Sequence, residues 1–210
     1  VLTGVEFCMN NTGQSCNAPT RMLVPESRKE EAFSIAIRQA ENTTVGDPKA
    51  SDTIIGPIVS DVQFEKVQTL IDAGINEGAT LLVGGTGKPE GLGKGYYVKP
   101  TVFGDVTNDM TIAREEIFGP VLSIITYNGI DEAISIANDS EYGLAAYVAG
   151  ESKDELTAIA RKLRAGQIHL NYGSGGADAP FGGYKQSGNG REKAEWGFEE
   201  FLEVKAIMGG

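Results

Sequence analysis

Apolar positions recur along this chain with two periods, and the alternation between them predicts an α/β layer structure. Three stretches show helical spacing behind a capping-box signature, a Ser followed three residues later by Glu or Gln. Ser27 and Glu30 precede Phe33, Ile37 and Ala40. Ser60 and Gln63 precede Val67, Leu70, Ile71 and Ile75, with Gly78 as the stop. Ser152 and Glu155 precede Leu156, Ile159, Ala160 and Leu163, ending at Gly166. A fourth, shorter helix is expected at 131–138, and short apolar runs predict strands at 81–83, 98–103, 121–127, 144–149, 167–171 and 201–208. Residues 84–95, glycine-rich and containing Pro89, read as a surface excursion. No internal repeat or long linker divides the chain, so one domain is the simpler expectation.

Composition narrows the function. Eighteen Lys and Arg against 29 Asp and Glu leave a net charge of −11, the opposite of what a phosphate backbone attracts, which argues against nucleic acid as a partner. No apolar run approaches the ~18 residues of a membrane span, and the first residues lack the basic and apolar regions of a secretion signal. Two cysteines cannot build a disulfide framework and fit a reducing compartment, so a cytoplasmic location is expected. The chain begins at Val1 without an initiator Met, as a fragment or processed product would. Glycine, 28 of 210 residues, is about double its usual share and predicts tight turns and close backbone approaches.

Three segments hold candidate chemistry. Cys16 follows Asn10-Asn11-Thr12-Gly13-Gln14-Ser15. A thiolate is a nucleophile, and backbone N–H groups in such a turn favour it and can hold an oxyanion; the competing reading is a small buried apolar residue. Cys8, in an apolar stretch, reads as structural. The second segment is Glu115-Glu116-Ile117-Phe118-Gly119-Pro120-Val121, which places paired acids before a Gly-Pro turn and an apolar strand. A carboxylate there can accept hydrogen bonds from ligand hydroxyls, or simply be solvated. The third runs from 171 to 190, with seven glycines around Pro180-Phe181-Gly182-Gly183-Tyr184-Lys185-Gln186-Ser187-Gly188. Metal binding is hard to build, because the single histidine, His169, sits in a strand pattern and neither cysteine has ligand spacing. Walker, dinucleotide-fingerprint and GxSxG motifs are missing from the sequence.

Taken in order, these segments resemble the aldehyde dehydrogenase superfamily over nearly the whole chain. Asn11, Gly13, Gln14 and Cys16, then 115–121, then Asn171 and 180–188 carry the match, and Arg191-Glu192 and Glu203-Val204-Lys205 fit its tail. The resemblance implies an open, mostly parallel twisted sheet flanked by helices. Residues 1–200 would be the catalytic domain and 201–210 a terminal strand near the oligomer interface of a homo-dimer or homo-tetramer. It implies aldehyde oxidation to a carboxylic acid with NAD or NADP, through a thiohemiacetal and a thioester on Cys16.

Site roles follow from the same resemblance. Glu116 and Phe118 would meet the nicotinamide cofactor, with Gln63 and Lys66 as a weaker cofactor pair; a capping Gln and a surface Lys are the plain alternative for these two. Asn17, Asn171 and Phe181 would line the approach of the aldehyde, and no metal is implied. Such enzymes are about 500 residues long, so the cofactor domain, the general-base glutamate and the oxyanion-hole asparagine would precede Val1. A CoA-acylating enzyme or a non-catalytic homologue with a binding role are the alternatives.

Overall fold

The computed structural model describes residues 1–209, and its contacts divide the chain into two units, one from Val1 to Ser140 and one from Glu141 onward. In the first, helix α1 (Leu2–Met9) leads through a 3-10 turn (Asn10–Gly13) to strand β1 (Arg21–Pro25) and helix α2 (Lys29–Glu41). Helix α3 (Asp61–Asn76) is followed by β2 (Thr80–Val83), β3 (Thr101–Gly104), the single turn α4 (Thr111–Arg114), β4 (Val121–Tyr127) and α5 (Ile130–Asn138). The sheet order is β1-β4-β3-β2; β4 pairs in parallel with both β1 and β3, and β2 runs antiparallel at the edge. The sheet is thus mixed and mostly parallel, with helices on both faces.

Strand β4 shows why. Its side chains alternate between two cores, as a pleated strand must. Val121 and Ile125 join α3 and α4 residues, among them Val67, Leu70, Ile71 and Ile112. Leu122 and Ile124 pack on the other face with Val5, Cys8 and Met9 of α1 and Ala32, Phe33, Ala36 and Ala40 of α2. Strand β1 follows the same rule, with Leu23 on the first side and Met22 and Val24 on the second.

The best-specified helix is α3. Ser60 caps it by accepting a hydrogen bond from the Gln63 N–H at 3.2 Å. Val67, Leu70, Ile71 and Gly74 form its buried stripe. Gly78, at φ +93°, ends it: Gly78 N–H bonds the Ile75 carbonyl at 3.2 Å and Ala79 N–H the Gly74 carbonyl at 3.0 Å, the paired bonds of a Schellman stop.

Other expectations shift. Ser27 does not cap α2; it falls in a 3-10 turn (Glu26–Arg28) directly after Pro25, and the helix starts at Lys29 without a side-chain cap. Ala36, not Ile37, joins Ala32, Phe33 and Ala40 on that helix's buried face. The strand expected at 98–103 begins only at Thr101, because Pro100 has no N–H for a ladder; Val98 is buried all the same.

The second unit contains β5 (Tyr142–Gly143), β6 (Ala145–Val148), α6 (Lys153–Ala160), β7 (Gln167–Leu170), β8 (Tyr184–Lys185) and α7 (Ala194–Glu199). β6 and β7 are parallel, and β5 and β8 antiparallel. Ser152 caps α6 through Glu155 N–H as expected, at 3.3 Å. The helix closes before Leu163 because Lys162 and Leu163 N–H groups bond three residues back, to Ile159 and Ala160. The strand expected at 201–208 is not formed: after a turn at Phe201 the described tail is irregular and Val204 is fully exposed. An apolar strand needs a ladder partner to satisfy its backbone, and this tail has none among the described residues.

Candidate active site

Three consecutive left-handed residues build the turn that leads to Cys16. Asn11 (φ 50°), Thr12 (φ 58°) and Gly13 (φ 71°) reverse the chain after α1. Asn11 Nδ2 donates to the Gln14 carbonyl at 2.8 Å and Gln14 N–H returns to the Asn11 carbonyl at 3.1 Å, which holds the reversal. Two bonds tie this turn to the segment before α3: Thr12 Oγ1 donates to the Gly56 carbonyl at 3.2 Å, and Val59 N–H donates to Gln14 Oε1 at 2.9 Å. Sequence reasoning did not single out residues 56–59; the Gly56-Pro57 dipeptide was the available signal.

Beyond this anchor the chain turns again, with Ala18 N–H on the Ser15 carbonyl at 3.0 Å and Ser15 Oγ donating to Asn17 Oδ1 at 2.8 Å. Cys16 stands exposed within that turn, and Asn17 is half-buried beside it. The buried-apolar reading of Cys16 therefore fails. Cys8 satisfies it instead: it lies buried in α1, its Sγ 3.5 Å from the Val121 carbonyl, and burial pushes its thiol pKa up to about 12.

The Glu115–Pro120 stretch (115–120) is the second wall. Gly13 lies against Gly119 so closely that a Cβ on Gly13 would stand 2.0 Å from the Gly119 carbonyl oxygen. A Cβ on Gly119 would in turn meet Val67 of α3 at 2.7 Å. One turn earlier on α3, Gln63 Nε2 donates to the Ile117 carbonyl at 2.9 Å and to the Phe118 carbonyl at 3.0 Å. Phe118 is held at φ 54° and is half-buried; Glu116 is exposed and makes no hydrogen bond or ion pair among the described residues. Lys66 is exposed on the next turn of α3. The structure thus brings the Cys16 turn, Gln63 and the Glu116 loop together in one unit.

Asn171 and Phe181 belong to the second unit. Asn171 has a left-handed backbone (φ 49°), and its side-chain amide engages Gly150 twice, accepting from N–H at 2.9 Å and donating to the carbonyl at 3.0 Å. Phe181 exchanges two backbone hydrogen bonds with Glu192, at 2.9 and 2.7 Å, and Lys193 Nζ lies 5.6 Å from its ring centroid. His169 is a packed strand residue, as its pattern suggested: its Nδ1 bonds the Gly173 carbonyl at 2.7 Å and its ring stacks on Tyr147 at 4.8 Å. Among the described residues, no group of three or more His, Cys, Asp or Glu side chains is placed to hold a metal, and no helix is long and apolar enough to cross a membrane.

An exposed cysteine thus lies on a turn that packs, through Gly13, against a loop presenting an unpaired carboxylate. The chain belongs to the aldehyde dehydrogenase family, whose profile matches residues 2–207. A Staphylococcus haemolyticus protein provisionally named as an aldehyde dehydrogenase is 57% identical over 201 residues, which are 96% of this chain and 42% of the relative. A 3-succinoylsemialdehyde-pyridine dehydrogenase from a Pseudomonas species is 55% identical over 206 residues, 98% of this chain and 43% of that protein. Among solved structures, a cysteine-to-alanine mutant of aldehyde dehydrogenase C from Pseudomonas syringae, complexed with NAD+ and octanal, superposes with a TM-score of 0.96 at 52% identity, over 98% of this chain and 42% of that one. This chain therefore spans about two fifths of the length of the relatives it matches.

Proposed function

We propose that this chain is the nucleophile-bearing part of a longer NAD- or NADP-dependent aldehyde dehydrogenase that oxidises an aldehyde to a carboxylic acid. The observation that carries the reading is the placement of exposed Cys16 on a turn packed, through Gly13, against the Glu116 loop. Cys16 Sγ attacks the aldehyde carbon, a C–S bond forms, and the carbonyl electron pair moves onto oxygen to give a thiohemiacetal. The Cys16 backbone N–H is a donor suited to hold part of that developing charge. These side chains fit a nicotinamide cofactor: Glu116 is a carboxylate with no competing partner, suited to accept hydrogen bonds from ribose hydroxyls, and the half-buried Phe118 ring offers an apolar surface. What NAD or NADP supplies there is a hydride acceptor. The acyl group left on Sγ is a thioester, and water releases it as the acid.

In the same reading, residues 1–200 act as the catalytic domain, with Asn17, Asn171 and Phe181 on the aldehyde side and Gln63 and Lys66 on the cofactor side. Residues 201–210 gain a strand partner in a homo-dimer or homo-tetramer, consistent with the exposure of the described part of this apolar tail, 201–209, in the single chain. The enzyme works in the cytoplasm, where the two thiols of this chain stay reduced. The NAD+ and octanal of the Pseudomonas syringae complex, captured in a cysteine-to-alanine mutant, support the cofactor and substrate class.

The test follows reduced nicotinamide by absorbance, with the full-length protein, a panel of aldehydes and both cofactors. Aldehyde-dependent reduction is the expected result. Reduction only with added CoA would instead identify an acylating enzyme, and none under either condition would overturn the catalytic reading.

A further inference from the structure

We propose that Gln63 is a positioning residue for the cofactor-holding loop, an inference that rests on the assignment of Glu116 and Phe118 to cofactor binding made above. A carboxamide has two N–H donors, and the two bonds from Gln63 Nε2 both point into the loop, to the Ile117 carbonyl at 2.9 Å and the Phe118 carbonyl at 3.0 Å. Those carbonyls bracket Phe118, whose φ of 54° is a conformation that bulky side chains rarely adopt. Left to itself a phenylalanine relaxes to negative φ, and the reversal of that peptide re-aims Glu116 and Phe118 together.

The clamp is itself held from behind. Ser60 fixes the Gln63 backbone by accepting its N–H at 3.2 Å, so the side chain departs from the capped first turn of α3. Four residues on, Val67 packs under Gly119 on the same face of the helix. Helix α3 therefore grips the loop twice, by hydrogen bonds at 117–118 and by close packing at 119. Lys66 takes no part in this grip; it is exposed.

The test uses the full-length protein with Gln63→Leu, which keeps bulk and loses both donors, and Gln63→Glu, which keeps shape but has no donor when ionised and faces two carbonyl oxygens. In cofactor-free protein, amide hydrogen exchange in a peptide covering 115–121 should accelerate at least about tenfold in both variants, the loss of about 1.4 kcal/mol of local protection, while exchange in α3 stays unchanged. The KM for NAD should rise about tenfold or more, with a smaller change in kcat. Unchanged loop exchange with a raised KM would overturn the proposal and make Gln63 a direct cofactor contact. Unchanged exchange and unchanged KM would overturn it as well. If Gln63→Leu fails to fold, Gln63→Met repeats the donor loss with a more adaptable side chain. Absence of aldehyde oxidation in the unaltered protein would refute the proposed function, and the exchange result would still decide whether Gln63 holds the loop.

Discussion

Gly13 and Gly119 meet backbone to backbone, leaving no room for a Cβ on Gly13, whose ideal position falls 2.0 Å from the Gly119 carbonyl oxygen and 2.6 Å from the Pro120 nitrogen. Cys16 follows the first glycine by three residues and Glu116 precedes the second by three. This contact fixes the proposed nucleophile and the proposed cofactor carboxylate to one another. Gly13→Ala adds a Cβ at a position with φ +71° and no space. It should destabilise the protein by about 2–4 kcal/mol and lower aldehyde turnover far more than a matched loss of stability elsewhere. Denaturant unfolding and steady-state kinetics measure the two effects.

Gly78→Ala is the matching control. Its φ of +93° closes α3, and no atom lies within 4 Å of the position a Cβ would take. Only backbone strain is added, so stability should fall by about 1 kcal/mol while kcat is retained. A large loss of activity would show that α3 transmits strain to the site from its far end.

Arg21 joins the first strand to the end of α5. Its guanidinium donates to Asn108 Oδ1 at 2.7 Å and to the Ile136 and Ala137 carbonyls at 3.2 and 3.1 Å, where cationic donors suit a helix C-terminus. Arg21→Leu removes all three donors from a half-buried position, and unfolding should become easier by about 2–4 kcal/mol. Urea titration checks it; a shift below about 0.5 kcal/mol, the range of ordinary surface changes, would show that water replaces those bonds.

Much of this architecture is written in the apolar periodicity. The Ser60 cap, the Gly78 stop and the full extent of β4 follow from local chemistry and appear where local chemistry puts them. Strand β1 escapes that reading because Arg21 and Pro25 bracket only three apolar residues, and its pairing with β4 is a long-range choice. The failed Ser27 cap has the same origin, since Pro25 and the 3-10 turn preceding α2 override a local signature. Cys16, Glu116 and Phe118 are legible as motifs. The way they are joined is not, because a Gly13–Gly119 contact and a Gln63 clamp are tertiary facts between segments far apart in sequence.

Cys8 gives the fold a pH signature. Burial raises its thiol from an ordinary 9.0 to about 12, so the folded state keeps a proton that the unfolded chain releases. The associated stability is fully present below pH 9.0 and is lost as pH rises toward about 12, at up to about 1.4 kcal/mol per pH unit. Cys8→Ala should flatten this alkaline decline, read as unfolding free energy against pH. An unchanged slope would show that Cys8 does not set it.

The most direct test of the central claim is a mass measurement of the acyl-enzyme. Full-length protein is mixed with aldehyde and NAD or NADP, quenched in acid, digested, and its cysteine peptides weighed. The Cys16 peptide should carry an added acyl group and the Cys8 peptide none, with both the adduct and turnover lost in Cys16→Ser. Sustained aldehyde oxidation by Cys16→Ser would contradict it.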